Sequence, residues 1–208
     1  HHAYVRRQRQ MCIRDRQPAV NDNLIRVDHI GQVVSPETLL SNMFFYKSIF
    51  GFVPEDSFDL PDINGLITSR TIKSPNENIK IALNSTSAKR TSAQRFLNDS
   101  NGASINQIAI ECRDIFKAAA NLSPIYQLKI PNNYYLDIQA QFDLEDESIE
   151  QLQKNNILYT EDDTGAFFHF YTKEVTGLFF EVVQRVGEYK KYGETNAFIR
   201  LASQSYQD

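Results

Sequence analysis

The sequence runs twice through one order of elements, and this repeat limits the fold more than any other feature. The first run opens with a β-branched strand pattern over 24–34, continues with a helical pattern, and closes with three short strand patterns. The second opens at 104–112, carries extra helical stretches, and ends in three more strand patterns. Segment 27–30, VDHI, aligns with 105–108, INQI, at an offset of 78 residues (105 minus 27). Two β-α-β-β-β modules are therefore predicted.

The repeat divides the chain. We predict modules over 24–101 and 103–186 and a polar C-terminal tail over 187–208 with one helical hint. Segment 1–23 is arginine-rich, lacks apolar periodicity and includes MCIRDR. It is predicted to be either a disordered tail or an artefactual segment, and it is kept out of the fold reasoning.

Local signals place the elements of the first module. Ser35 and Pro36 predict a helix start, as N-cap and first helical residue, and Gly51 predicts its end. The strand patterns that follow are SFDL at 57–60, GLITSRTIK at 65–73 and NIKIALN at 78–84. Proline and asparagine-glycine pairs separate them.

Composition excludes several classes of partner. Hydrophobic residues make up 41% of the 208 residues, which is enough for a core, and the net charge is −4. No basic stripe follows Asn23, so nucleic acid is not expected as a partner, and no apolar run approaches a membrane span. Two cysteines, Cys12 and Cys112, make a disulfide framework improbable and favour a cytoplasmic location.

Three strands carry a polar side chain on an otherwise apolar face. His29 alternates with Val27 and Val33, Gln107 lies in the equivalent strand of the second module, and Glu181 lies between Phe179 and Val183. A lone ionised carboxylate on an apolar face is costly. Glu181 is therefore expected to be protonated, paired with a cation or bound to a metal.

Ordinary structural roles compete with a site. A lone histidine such as His29 is more often bonded to a backbone carbonyl in a core than to a ligand. Gln107 could satisfy a bulge, and His169 and Tyr171 could be packing residues of their strand. Glu181 could pair with an arginine, for which the candidates are Arg26, Arg70 and Arg113.

The three residues together are more informative than each alone. If the modules pair about a pseudo-twofold axis, His29, Gln107 and Glu181 converge in one cupped sheet. That would be a facial metal triad with one histidine replaced by glutamine. Other chemistry has little support: there is no phosphate-binding glycine loop, no nucleophile elbow and no C-x-x-C pair, and Cys112 is expected in the core.

Several stretches resemble the catalytic half of 4-hydroxyphenylpyruvate dioxygenase: VDHIG at 27–31, PNNYY at 131–135 and FFEVVQR at 179–185. The resemblance covers nearly all of 24–204. It implies an α+β fold of the vicinal-oxygen-chelate superfamily, with paired βαβββ modules forming a cupped, barrel-like mixed sheet and helices outside. The ending YGETNAFIRLASQ is similar to the dioxygenase-like C-terminal domain of bacterial 3-dehydroshikimate dehydratases, whose upstream TIM barrel carries the dehydratase reaction.

The resemblance also implies roles for individual residues. His29 and Glu181 match metal ligands of the family, and Gln107 stands where the family has a second histidine. Pocket positions are expected at the following residues: Asn84, Asn106, His169 and Tyr171. A His-Gln-Glu set predicts a divalent metal, with Mg²⁺, Mn²⁺ or Fe(II) as candidates, and weaker binding of Fe(II) than two histidines would give.

Three functions remain open on the sequence. The first is a metal-binding accessory domain of a 3-dehydroshikimate dehydratase-type protein in quinate and shikimate breakdown. Its catalytic barrel would lie upstream, and it would bind a small aromatic or 2-oxo acid or form a homodimer. The second is a non-heme Fe(II) dioxygenase acting on an aromatic 2-oxo acid. The third is a metal-free structural or dimerisation module.

Overall fold

The structure, a computed structural model, describes residues 22–205; nearly all of the predicted N-terminal segment 1–23, including Cys12, lies outside them. The strands are β1 Leu24–Val33, β2 Val53–Asp62, β3 Gly65–Lys73, β4 Lys80–Ser85, β5 Ser104–Cys112, β6 Leu158–Asp162, β7 Gly165–Tyr171 and β8 Phe179–Gly187. The α-helices are α1 Leu39–Phe50, α2 Ser92–Asp99, α3 Ile115–Asn121, α4 Asn132–Phe142, α5 Asp146–Lys154 and α6 Ala197–Ser205.

All eight strands form one curled sheet in the order β2-β3-β4-β1-β5-β8-β7-β6. Each module pairs its first strand with its last in parallel, β1 with β4 and β5 with β8, and the remaining pairs are antiparallel. The modules join through β1 and β5, which run antiparallel. This two-module mixed sheet with outer helices confirms the predicted fold class.

The two modules differ in how their outer faces are covered. Helices α3, α4 and α5 pack on the second module around Tyr135, Ile138 and Phe170, all at most 3% exposed. The first module has α1 alone, over a smaller cluster that includes Ile72 and Leu83. On the outer side of α1, five large apolar residues stay more than half exposed: Leu40, Phe44, Phe45, Ile49 and Phe50.

The C-terminal segment fills the mouth of the cup. A 3-10 turn over Glu194–Asn196 leads into α6, where Ala197 and Leu201 pack with Leu60 and Ile67 of the first module. Asn196 donates from Nδ2 to the carbonyl oxygen of Tyr159 in the second module at 3.1 Å. The tail therefore bridges both modules.

Two local predictions were wrong. Helix α1 begins at Leu39 and not at Pro36, because the backbone N–H of Thr38 donates to the carbonyl of Ser35 (3.0 Å) and closes a turn first. Strand β2 is longer than 57–60 and includes Pro54 and Pro61, which its position at the sheet edge tolerates. Gly51 ends α1 in a left-handed conformation (φ 69°), as predicted.

Within residues 22–205 no helix combines the length and apolarity needed to cross a membrane.

Candidate metal and ligand site

Two β-bulges place the central polar residues of the site. Along the β1–β5 pair, Val27 faces Ile110 and His29 faces Ala109, so Asp28 has no partner across the strands. Further on, Gly31 faces Gln107 and Gln32 faces Ile105, so Asn106 has none. Bulges re-aim side chains at the sites they border. Asp28 and Asn106 are 78 residues apart, which is the offset of the sequence repeat.

Small residues lie opposite His29 and Gln107 across the β1–β5 pair, which is the seam between the two modules. Ala109 lies opposite His29, and Gly31 lies opposite Gln107. A Cβ added at Gly31 would come within 2.8 Å of the Gln107 Cβ and 3.0 Å of its Oε1. Glycine at position 31 therefore makes room for the Gln107 side chain.

His29, Gln107 and Glu181 converge on one point. Gln107 Nε2 lies 2.6 Å from Glu181 Oε2 and 3.3 Å from His29 Nε2. His29 Nε2 lies 3.3 Å from the same carboxylate oxygen. His29 is 3% exposed and Glu181 is fully buried. Three residues far apart in sequence are thus brought within contact distance of one another.

His169 holds the other oxygen of Glu181. Its Nδ1 lies 2.6 Å from Glu181 Oε1, and its Nε2 lies 3.1 Å from Asn196 Nδ2. An amide nitrogen can only donate, so Nε2 accepts and Nδ1 carries the proton that is donated to Glu181. His169 therefore fixes the carboxylate from behind, with a link to the C-terminal segment.

A buried ion pair orients His29 from the opposite side. Asp28 Oδ1 lies 2.8 Å from His29 Nδ1, and the Asp28 carboxylate binds Arg185 through Nε (2.8 Å) and Nη2 (2.9 Å). A carboxylate on one ring nitrogen turns the other toward the site, as is usual for metal-binding histidines. Burial opposes ionisation of Asp28, but the hydrogen bonds from Arg185 and His29 hold its pKa below the ordinary value.

The central histidine and acid stabilise each other as ions. Burial by itself would lower the pKa of His29, but its hydrogen bonds to Asp28 and Glu181 raise that pKa to about 9. Burial would likewise raise the pKa of Glu181, but the hydrogen bonds from His169 and His29 lower it to about 2. Glu181 is therefore ionised, and a cation near His29 Nε2, either a proton or a metal, neutralises it.

None of the three arginines considered as alternative partners of Glu181 forms an ion pair with it. Arg26 pairs with Glu111 at 2.6 Å, Arg113 donates to the Asp22 carbonyl, and Arg70 Nε has no hydrogen-bond partner. Histidines and an amide surround it instead.

The three side chains fit a divalent cation with one adjustment. Two ligands at right angles, each about 2.1 Å from one ion, lie about 3 Å apart, close to the separations seen here. Gln107 would have to turn its amide so that oxygen, and not nitrogen, faces the ion. Counting only His, Cys, Asp and Glu, no group of three between residues 22 and 205 could hold a metal, so this site depends on Gln107.

A cavity of about 40 Å³ lies beside the three side chains. Among its walls are His29, Gln107, Asn84 and Tyr171, together with Tyr192 and Arg200 of the C-terminal segment. Neither Asn106 nor His169 is among its walls: Asn106 Oδ1 is buried without a hydrogen-bond partner, and His169 is fully buried with its Nδ1 on Glu181. Two of the four expected pocket residues thus face the cavity and two lie in the layer beside it.

Asp28, Arg185 and Arg200 are among the residues of this region that sequence reasoning missed. Asp28 had a signal, since it precedes His29 in the motif VDHIG, whereas Arg185 had none beyond its place near the end of β8. Arg200 belongs to a tail that carried only a helical hint. All three depend on long-range packing to reach the site.

No family model matches this chain. It is 39% identical over 184 residues to a 3-dehydroshikimate dehydratase from Pseudomonas aeruginosa, which covers 86% of this chain and 29% of that protein. A second 3-dehydroshikimate dehydratase, from Pseudomonas putida, is 37% identical over 193 residues, or 91% and 30%. A 4-hydroxyphenylpyruvate dioxygenase from Legionella pneumophila is 29% identical over 86% of this chain and 53% of its own length. The chain spans less than a third of the dehydratases that it matches.

Comparison with solved structures leads to the same group of proteins. A xylose isomerase-like TIM barrel/4-hydroxyphenylpyruvate dioxygenase fusion protein superposes with a TM-score of 0.74 at 34% identity, covering 88% of this chain and 29% of that protein. A mutant 4-hydroxymandelate synthase from Streptomyces coelicolor has a TM-score of 0.79 at 20% identity, covering 92% and 57%. With the two-module sheet and its converging side chains, these findings show that the chain is a 4-hydroxyphenylpyruvate dioxygenase-like domain of the vicinal-oxygen-chelate fold.

Proposed function

We propose that this chain is the dioxygenase-like domain of a cytoplasmic 3-dehydroshikimate dehydratase-type protein in aromatic-compound breakdown, and that His29, Gln107 and Glu181 hold a divalent metal. The observation that carries the metal proposal is the convergence of these side chains at 2.6–3.3 Å from three strands. A bound cation would supply Lewis-acid polarisation of an oxygen ligand.

The surrounding residues prepare the site for a cation. Asp28 holds His29 Nδ1, which leaves Nε2 directed at the point of convergence, and His169 holds Glu181 in one orientation. Neutral amide and anionic carboxylate oxygens suit Mg²⁺ or Mn²⁺ better than Fe(II). A metal at His29 Nε2 would replace the proton that binds there otherwise.

Metal binding is tested by titrating the purified, chelator-treated protein with Mn²⁺ and Mg²⁺ in a calorimeter. One equivalent of Mn²⁺ should bind, and Glu181→Gln should abolish binding. The matched control is Glu150→Gln, since Glu150 is exposed on α5. If Glu181→Gln binds Mn²⁺ as well as the unchanged protein, the metal lies elsewhere. If no metal binds, the hydrogen bonds of Gln107, His29 and His169 alone stabilise Glu181. The domain would then be a metal-free module.

The dehydratase context rests on the relatives. Both dehydratases and the solved fusion protein are more than three times as long as the part matched by this chain. The coding sequence upstream of Leu24 is the test: a βα-repeat barrel there supports the dehydratase-type protein. A second pair of βαβββ modules in its place would favour a dioxygenase.

Oxidation of an aromatic 2-oxo acid is the second candidate function. It is favoured by Asn84 and Tyr171, which the resemblance assigns to a substrate pocket and which line the same cavity as His29. A cavity of about 40 Å³ holds roughly three waters, which is too little for an aromatic ring unless α6 moves. Oxygen consumption with 4-hydroxyphenylpyruvate and Fe(II) is the test, and we expect none above the rate of Glu181→Gln.

A further inference from the structure

Arg200 is a buried cation that forms no ion pair with a carboxylate in the described part of the chain. The residue is 9% exposed and projects from α6 into the wall of the cavity. Its guanidinium carbon lies 4.9 Å from the ring centre of Phe179 and 5.6 Å from that of Tyr171, and Nη1 donates to Gln204 Oε1 at 2.8 Å. No ion pair involves Arg200 among residues 22–205. Aromatic rings offset only part of the cost of a buried charge.

The acids near the cavity already have other partners. Glu194, which lines the cavity, accepts from the backbone N–H of Tyr192 at 3.1 Å. Glu181 is held by Gln107, His29 and His169. The cavity therefore presents an arginine fork that is not paired with either of these acids, and a planar fork matches a carboxylate best.

Asn84 provides a second, independent indication that the cavity binds a ligand. Its side chain lines the same cavity, and its Oδ1 is buried without a hydrogen-bond partner. A buried acceptor without a donor is destabilising. A ligand hydroxyl would satisfy it. A carboxylate alone would not, because an ionised carboxylate has no proton to donate.

We propose that this cavity binds a small hydroxy acid, with its carboxylate on Arg200 and its hydroxyl on Asn84 Oδ1. The volume of about 40 Å³ limits the ligand to a few heavy atoms in the present closed position of α6. The inference names a ligand class for the proposed metal-binding domain and rests on that proposal for placing the ligand beside the metal. The Arg200 and Asn84 contacts themselves need no metal.

Three probes of nearly equal size separate the two contacts. Glycolate has both groups, acetate lacks the hydroxyl, and glycolamide lacks the charge. In metal-free protein, measured by calorimetry in chelator, glycolate should bind about tenfold more tightly than glycolamide and severalfold more tightly than acetate. Equal affinities for glycolate and glycolamide would overturn the inference, and this comparison needs no variant.

Variants assign the contacts to residues. Arg200→Met should weaken glycolate binding about tenfold or more, whereas Arg90→Met, at an exposed arginine, should leave it unchanged. Asn84→Leu should remove the preference for glycolate over acetate. Unchanged glycolate affinity in Arg200→Met would refute the role of Arg200.

Mn²⁺ titration of the same proteins distinguishes this inference from the metal proposal. Arg200→Met should keep Mn²⁺ binding, which also shows that it is folded, and Glu181→Gln should keep glycolate binding. Loss of glycolate binding in Arg200→Met alone supports the inference even if no protein binds Mn²⁺. Glycolate binding lost in Glu181→Gln but kept in Arg200→Met would overturn it and place the acid on the metal.

Discussion

The two bulges at the module seam share a backbone and differ in chemistry. Asp28–His29 in the first module and Asn106–Gln107 in the second occupy equivalent positions, 78 residues apart. Asp28 binds both His29 and Arg185, whereas Asn106 Oδ1 is buried without a partner. The backbone symmetry thus places two polar groups at one point, and side-chain choice makes one half ionic and the other neutral.

The largest difference is expected when the same substitution is made at both bulges. Asp28→Leu leaves Arg185 buried without its acid and frees His29 Nδ1, so the free energy of unfolding should fall by about 3–5 kcal/mol. Asn106→Leu removes an unsatisfied group and should change stability by less than about 1 kcal/mol, or raise it. Urea denaturation measures both, and equal losses would contradict the contrast.

Making the second bulge more like the first should strengthen metal binding. Gln107→His would place imidazoles at both equivalent positions and give two histidines and a carboxylate around one point. We expect about tenfold to a hundredfold tighter binding of Fe(II) or Mn²⁺, read by calorimetry. No gain would show that Gln107 does not face the ion.

The small residues opposite the two bulges offer a finer test. Gly31→Ala places a Cβ at 2.8 Å from that of Gln107, and overpacking of this kind costs about 1–3 kcal/mol. The double variant Gly31→Ala, Gln107→Gly should be about as stable as Gln107→Gly alone, since glycine at 107 removes both the Cβ and the Oε1 that the added methyl group would meet. A double variant less stable than Gln107→Gly by the same amount of about 1–3 kcal/mol would place the strain elsewhere.

The smallest change in stability is expected for a substitution at the end of β5. Cys112 (2% exposed) is 78 residues from Val34 (0% exposed), so Cys112→Val makes the modules alike there and should cost less than about 1 kcal/mol. Burial raises the pKa of the Cys112 thiol to about 12. In a Cys12→Ser variant, Cys112 is the one remaining thiol of the sequence. The folded protein should therefore resist a thiol reagent at pH 8 and react only after unfolding. Rapid labelling of the folded protein would contradict the assignment of Cys112 to the core.

The sequence predicted what depends on periodicity and repetition. Strand alternation placed His29, Gln107 and Glu181 on apolar faces, and the 78-residue offset predicted two modules, whose pairing was implied by the family resemblance. The bulges at Asp28 and Asn106 were not predicted, because a bulge is defined by which residue lacks a partner on another strand. The partners of Glu181 were missed for a similar reason: only arginines were considered as ion-pair partners, while His169 reaches the acid from β7, the strand paired with β8.

The C-terminal segment shows the same limit of prediction from sequence. Its helical hint could not indicate that Ala197 and Leu201 would pack on the first module while Arg200 turns to Tyr171 and Phe179 of the second. Which side chain of a short amphipathic helix enters a cavity depends on where the helix docks. That placement is set by the shape of the finished sheet.

Because the modules meet at the β1–β5 seam, the domain could be cut into two fragments that each contain one module. His29 comes from one half of the chain, Gln107 and Glu181 come from the other, and the β1–β5 pairing, the Asp28–Arg185 ion pair and the C-terminal segment hold the halves together. Cutting the chain between α2 and β5 would therefore yield two fragments, neither able to chelate an ion unaided. Recovery of metal affinity on mixing them would act as a direct reporter of strand reassociation.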